Sequence, residues 1–414
     1  MKNGKPIVAI LLSLVLCMSG MVGLAESAQE PVTLRVMWCQ GTNASGLEET
    51  IEQMLSEQYP HISVEWEITT WEDLPSKMQQ YMQSGMPDVV IAKSQDANNY
   101  GGYGVWADLS DTDYIGNVLE SCLGGVTIDG KILGMPYIGT YGGVYYNREI
   151  FEQNNITIPT TTEEFKAVCE TLKAAGITPI ATHWLDSWFL GWELAIVSGG
   201  ELMSTSLTWG DEFRDGQRNA EDPDFKASVE MMEYIHQNTW EDTYSVEQTT
   251  CDARFVQGQA AMQMDGSWVA SNYAMLNPDF DYGLFPFPNT NGDGCLNMEP
   301  NDSFFKSATT ENHEAADAFL SMMASPEMAS AWSQYVGESS LIKGATSFAT
   351  PAQSDIGHYA GIGLSRDQNA ITNQLPYNEF WGEVANDFTE YINGDIAIDV
   401  LYQRANDRRS VCGE

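Results

Sequence analysis

The chain has 414 residues, with 58 acidic against 19 basic side chains, a formal net charge of -39, and 43% hydrophobic and 11% aromatic content. That apolar fraction excludes a disordered acidic tail, and the length fits one large domain or two. Nucleic acid and anionic membrane surfaces are excluded as partners, because both need clustered lysine and arginine that this chain lacks.

In chain order, Lys2 and Lys5 precede an apolar run from Ile7 to Met18 and a small-residue exit at Gly23-Leu24-Ala25. This is the pattern of a secretory signal, so residues 1–25 are expected to be removed on export. Cys17 lies near the end of the run, where a lipid-modified cysteine would stand, but Leu16 precedes it in place of the usual small residue. The expected location is therefore extracellular, cell-surface or periplasmic.

Val32 to Trp38 alternates and is rich in β-formers, predicting a strand. Ser45 with Glu48 has capping-box spacing, and Leu47, Ile51, Met54 and Leu55 share a helical face before Pro60. His61 to Ile68 alternates again, which gives a β-α-β opening of a mostly parallel sheet. A helix over 74–84, a turn at Gly85-Met-Pro87 and a buried strand over 88–92 continue the pattern. Helices are further predicted over 163–175, with Phe165, Val168, Cys169 and Leu172 inward, and over 225–238, 315–324 and 379–393. The glycine-rich stretches 135–143 and 264–268 suit places where the chain passes between lobes.

No cluster for chemistry emerges. His61, His183, His236, His313 and His358 are isolated, nothing has metal or cofactor spacing, and there is no nucleophile elbow or phosphate loop. Carboxylate pairs such as Asp186 with Glu193, or Glu299 with Asp302, have glycosidase chemistry available. Among 58 acids, chance proximity accounts for them. Cys39, Cys122, Cys169, Cys251, Cys295 and Cys412 lack redox or zinc spacing and read as buried thiols.

Twelve tryptophans are more telling. Trp38, Trp184, Trp188, Trp268 and Trp381 each stand beside small polar or amide residues. An indole packs on the C–H face of a sugar ring while neighbouring carboxylates and amides bond its hydroxyls, so the pairing points to carbohydrate.

Three stretches carry a family resemblance. Ser84-Gly-Met-Pro-Asp-Val-Val90 is one; Gly134-Met-Pro-Tyr137 through Val144-Tyr-Tyr-Asn-Arg148, Phe151 and Pro159-Thr-Thr-Thr-Glu-Glu-Phe165 is the second. Phe255-Val-Gln-Gly-Gln-Ala-Ala-Met262 running into Gly266-Ser-Trp268 is the third. In order and spacing they resemble the solute-binding proteins of ABC sugar importers, the family that includes the maltose-binding protein.

The resemblance implies an α/β, two-lobed periplasmic-binding-protein-like fold, each lobe a mostly parallel sheet flanked by helices, with the ligand cleft between lobes. It implies a first lobe from 30–139 and 265–312 and a second from 140–264 and 313–414, with a third crossing near Ser307 to Glu314. Ligand contacts map by resemblance onto Trp38, Gln40, Thr42, Asn43, Asp96, Tyr141, Trp184, Asp186, Trp188, Trp268, Glu299, Asn301 and Trp381. It further implies a monomer that delivers a mono- or oligosaccharide to membrane permease subunits, with no catalytic residue, metal or cofactor. The alternatives are a polyamine or other cationic solute, suggested by the charge, and a secreted polysaccharide-degrading enzyme.

Overall fold

A computed structural model of the chain describes residues 30–39, 46–71, 73–185, 187–367, 375 and 377–411. The signal segment, Cys17, Ser45 and Cys412 lie outside them. Among the described residues no helix is long and apolar enough to cross a membrane.

The first sheet contains β1 (Val32–Cys39), β2 (Ile62–Thr69) and β3 (Val89–Ala92). β1 lies between the other two and pairs parallel with both, Val32 opposite Ile62 and Val36 opposite Val89. Between them run α1 (Leu47–Gln58) and α2 (Leu74–Ser84), each followed by a strand as a parallel crossover requires. In α1 the buried residues Leu47, Ile51 and Leu55 recur every four positions, and in α2 Leu74, Met78 and Tyr81 fall four and then three apart, also on one helical face. After β3 come α3 (Asp96–Gly101) and the hairpin β4 (Thr127–Ile128), β5 (Lys131–Ile132). Asp129 and Gly130 both take positive φ in that hairpin, the torsions a two-residue turn demands.

The chain leaves this lobe along β6 (Ile138–Asn147), then forms α4 (Arg148–Gln153), α5 (Thr162–Ala174), β7 (Thr178–Ala181), α6 (Ser187–Thr205), α7 (Trp209–Arg214), α8 (Pro223–Gln237), α9 (Gln248–Val256), β8 (Ala260–Gly266), α10 (Val269–Leu276) and β9 (Tyr282–Phe285). A capping box starts α5: Thr161 Oγ1 accepts from the Glu164 amide, and the Glu164 carboxylate accepts from the Thr161 amide, both at 3.2 Å. β10 (Leu296–Asn301) returns to the first lobe, where β11 (Ser303–Lys306) adds an antiparallel edge to β3. Then α11 (His313–Met323) and α12 (Pro326–Val336) pack on the first sheet, β12 (Ser339–Ser340) crosses again, and α13 (Gln353–Gly361), β13 (Ser365–Asp367), a π-turn at Tyr377–Gly382, α14 (Glu383–Ile392) and α15 (Ile398–Asp407) finish the chain.

Strand alternation divides the first lobe's core into two layers. Leu34, Val36, Trp38, Val89, Ile91 and Phe304 face α1, α11 and α12, while Met37, Cys39, Val90, Ala92 and Phe305 face α2. The second lobe has the order β13-β10-β6-β8-β7 and is mixed in direction. β6 carries the chain outward, so β8, β9 and β10 run antiparallel to it, and only β7–β8 and β10–β13 are parallel.

Two of the expected crossings are corrected. Residues 264–268 do not lead back to the first lobe, because Met264 and Gly266 pair with β6 and Val269 packs in the second lobe's core. The return is β10. The third crossing is not at 307–314 either, since Ala315, Phe319, Leu320, Met328 and Trp332 all pack with Leu34, Val36 and Trp38. It falls at β12. The boundaries 265–312 and 313–414 move accordingly, because burial against the first sheet holds α11 and α12 in the first lobe.

Candidate functional site: the face of the crossing strands

Three crossing strands lie side by side. β6 is flanked on one edge by β10, with Glu299 opposite Thr140, and on the other by β12, with Ser339 opposite Gly139. Directly opposed residues share a face, so Glu299, Thr140 and Glu338 form one transverse row. Thr140 Oγ1 donates to Glu338 Oε2 at 2.9 Å and ties the middle strand to the start of β12.

Two residues further along β6 the same face carries Gly142, paired with Gly266 of β8. Neither position has room for a side chain. A Cβ on Gly142 would come within 2.9 Å of the Trp192 ring, and one on Gly266 within 2.1 Å of Trp268. The glycines let the indoles settle on the backbone. Trp192 and Trp268 have ring centroids 5.0 Å apart, and Trp188, one helical turn before Trp192 on α6, lies 6.2 Å from Trp268. Trp188 is 41% exposed. An acidic row and an aromatic group therefore share one face, about 7 Å apart along β6.

The first lobe supplies the rest of the acidic end. Lys93, just past β3, has its Nζ 3.8 Å from Glu299 Oε1 and 5.3 Å above the Trp71 ring. Asp96 accepts from the Lys93 amide at 3.2 Å and from Asn99 Nδ2 at 3.0 Å. Asp302, between β10 and β11, takes φ +46, a conformation that non-glycine residues adopt at a cost.

Burial raises three of these carboxyls. Asp96 is pushed up to about 6, chiefly by burial, with the bonds from Asn99 and Lys93 pulling the other way. Asp302 rises to about 7 by burial despite the neighbouring Trp332 and Trp38 indoles. Glu338 rises to about 8, by burial and then the nearby charges of Asp302 and Glu299, although the Thr140 hydroxyl favours its ionised form.

Of the residues expected at the site, Trp188, Trp268, Asp96, Glu299 and Asn301 come together around this face. Asn301 Oδ1 is buried there without a hydrogen-bond partner among the described residues. Gln40, Thr42, Asn43 and Asp186 lie outside the described residues. Tyr141 is on the reverse face, packed with Met298 and Leu341, since it alternates with Thr140 and Gly142 along β6. Trp38 packs tilted against Trp332, ring centroids 4.7 Å apart, within the first lobe's core.

Two further tryptophans are displaced from the cleft. Trp381, 0% exposed, lies parallel to Phe225 inside the second lobe, because the helix it begins is apolar toward that core. Trp184 donates to Glu193 and lines a separate recess with Tyr244, Asp387 and Arg404. Sequence reasoning passed over Lys93, Glu338 and Trp192. The i, i+4 spacing of Trp188 and Trp192 was the available signal for the last; the others depend on which strands become neighbours.

The geometry has recognisable relatives. The description "Bacterial extracellular solute-binding protein" matches residues 51–356. The chain belongs to that family. It is 26% identical to an uncharacterised ABC transporter extracellular-binding protein of Pyrococcus horikoshii, over 63% of this chain and 62% of that one, so it spans about three-fifths of that relative. A multiple sugar-binding protein of Streptococcus mutans is 21% identical over 77% of each chain. Among solved structures, the solute-binding protein RafE in complex with raffinose superposes with a TM-score of 0.77 at 20% identity, covering 92% of this chain and 100% of the other. That last likeness is one of fold.

Proposed function

We propose that this solute-binding protein captures a carbohydrate on the crossing-strand face and passes it unchanged to the permease subunits of an ABC importer. The observation that carries the reading is the adjacency of the Glu299, Thr140, Glu338 row to the Trp188, Trp192, Trp268 group. The indoles supply flat apolar surface for a sugar ring, and the acids accept from its hydroxyls. The names of the Streptococcus mutans relative and of the raffinose complex support the same class of ligand.

In this reading Trp268 and Trp188 stack, while Asp96, Glu299 and Asn301 select hydroxyl geometry. Gln40, Thr42, Asn43 and Asp186 complete the set on sequence grounds. Three side-by-side connections let the lobes rotate about β6, β10 and β12, and a ligand touching both lobes favours the closed arrangement. The protein acts as an exported monomer and not as an enzyme.

The test is a thermal-shift screen against a carbohydrate panel followed by calorimetric titration. A ligand bound only by the folded state raises the melting temperature by an amount that grows with its concentration over Kd. One saccharide is expected to bind one to one and be recovered intact, and Trp268→Ala to weaken it roughly tenfold or more. Turnover of the saccharide, or no response to any, overturns the proposal.

A further inference from the structure

The charge at the acidic end is unbalanced. Burial keeps protons on Asp302 and Glu338 near neutral pH, and among the described residues the cation that bears on Asp96, Glu299 and Asp302 is Lys93. Glu299, 8% exposed, has no hydrogen bond among the described residues; its charged neighbour is Lys93 Nζ at 3.8 Å, beyond bonding distance. Glu338 has the single side-chain bond from Thr140. Lys93 is itself shared between Glu299 and the Trp71 ring. Beside the acids, the indole N–H of Trp192, a residue 4% exposed, also has no partner among the described residues, and neither does that of Trp268.

A neutral sugar settling on this face removes water from the carboxylates and brings no charge to replace it. Glu299 is then buried with its charged neighbour Lys93 short of bonding distance, which weakens binding. A ligand carrying an ammonium group reverses the balance. It gives Glu299 a charged donor and lets Glu338 release the proton that burial holds on it, and charge-assisted hydrogen bonds are roughly twice as strong as neutral ones. Cations are also attracted to indole faces.

We infer that the cleft selects a saccharide bearing a protonated amine, with the ammonium held between Glu299 and Glu338 above Thr140 and the sugar ring on Trp268 and Trp188. The inference rests on the carbohydrate reading and narrows it. Glu299 and Glu338 flank β6 with their Cβ atoms about 10 Å apart, which lets both carboxylates reach one ammonium. The aromatic group begins about 7 Å further along the strand, where the ring attached to that amine would lie.

The experiment is titration calorimetry at about pH 6.5, where a sugar amine carries its proton. It uses sugars that differ only by amine for hydroxyl: glucosamine and glucose, galactosamine and galactose, and the β-1,4-linked dimers of glucosamine and of glucose. At least one amino sugar is expected to bind roughly tenfold tighter than its hydroxyl partner. That advantage should shrink in roughly 0.5 M salt and in Glu299→Gln, while thermal melting shows the variant folded. Equal or tighter binding of the hydroxyl partners overturns the inference. So does a response to neutral oligosaccharides with none to the amino sugars, an outcome that leaves the carbohydrate reading standing. If no saccharide of any charge binds, both fall.

Discussion

The molecule buries two groups of carboxylates, and they are treated differently. In the second lobe, Glu193 accepts from Thr182 Oγ1 at 2.6 Å and from the Trp184 indole; Asp252 accepts from Gln263 at 2.7 Å and from Asn272 at 3.0 Å. Asp265 accepts from Gln263 at 2.9 Å and the Gly266 amide at 2.8 Å, with His183 Nε2 at 3.5 Å. At the crossing strands Glu299 and Glu338 have far fewer donors. Burial raises Glu193 and Glu338 alike, each to about 8, so the pKa does not separate the groups. Hydrogen-bond saturation does. A carboxylate whose acceptor sites are filled by its own fold holds the structure together, whereas one left with capacity is free to receive a ligand.

The sharpest way to break this contrast is Asp265→Ala. It removes the buried carboxylate that faces His183 and one of the two acceptors of Gln263, and it should cost about 3–5 kcal/mol in chemical denaturation. A loss under about 1 kcal/mol would put the second-lobe group in the same class as the crossing-strand acids.

Next in size is the pH response. Asp96, Asp302, Glu338, Asp252 and Glu193 have folded-state values between about 6 and about 8. All lie above the unfolded range near 4. The native state therefore holds more protons than the unfolded one between these limits, and stability falls as pH rises from about 5 to about 8. His183, also raised, acts in the same direction, and His236, lowered, acts against it. The carboxyls held down, such as Glu67 and Asp242, lose their contribution only below about pH 4.5. Glu338→Gln resembles the protonated form, so it should flatten the decline by on the order of 2 kcal/mol. Identical urea midpoints at about pH 5 and about pH 8.5 in the unmodified protein would contradict this.

The smallest effect is expected from Glu299→Gln measured without ligand. Removing a charge that its fold leaves poorly bonded should be neutral or stabilising by about 1 kcal/mol. A clear destabilisation would make Glu299 a structural acid like Asp265.

Local structure was the legible part of the chain. The alternation over 32–38 and 61–68 reads directly as β1 and β2, and the spacing of Phe165, Val168, Cys169 and Leu172 reads as the buried side of α5. The crossings were less so. Residues 264–268 are a glycine-containing strand end like many others, and only pairing with β6 reveals that they stay in the second lobe. The site shows the same limit. A tryptophan beside polar neighbours has one sequence appearance whether it faces a cleft, as Trp268 does, or a core, as Trp381 does. The glycine beneath the Trp268 ring is Gly266, two residues earlier in its own segment. Gly142 makes room for Trp192, and no pattern local to Trp192 announces it.

The contact of Trp38 with Trp332 joins residues that are roughly 300 positions apart, and Trp332 is fully buried in the first lobe's core. Synthesis at about 5–20 residues per second makes that gap a delay of at least roughly 15 seconds. Through that interval β1, β2 and β3 have α1 on that face but lack α11 and α12, which complete its cover. A nascent chain shortened before α11 would present that face to solvent or to a chaperone. The interleaved lobes thus set a timetable: the half that begins first is completed only when most of the molecule has been made.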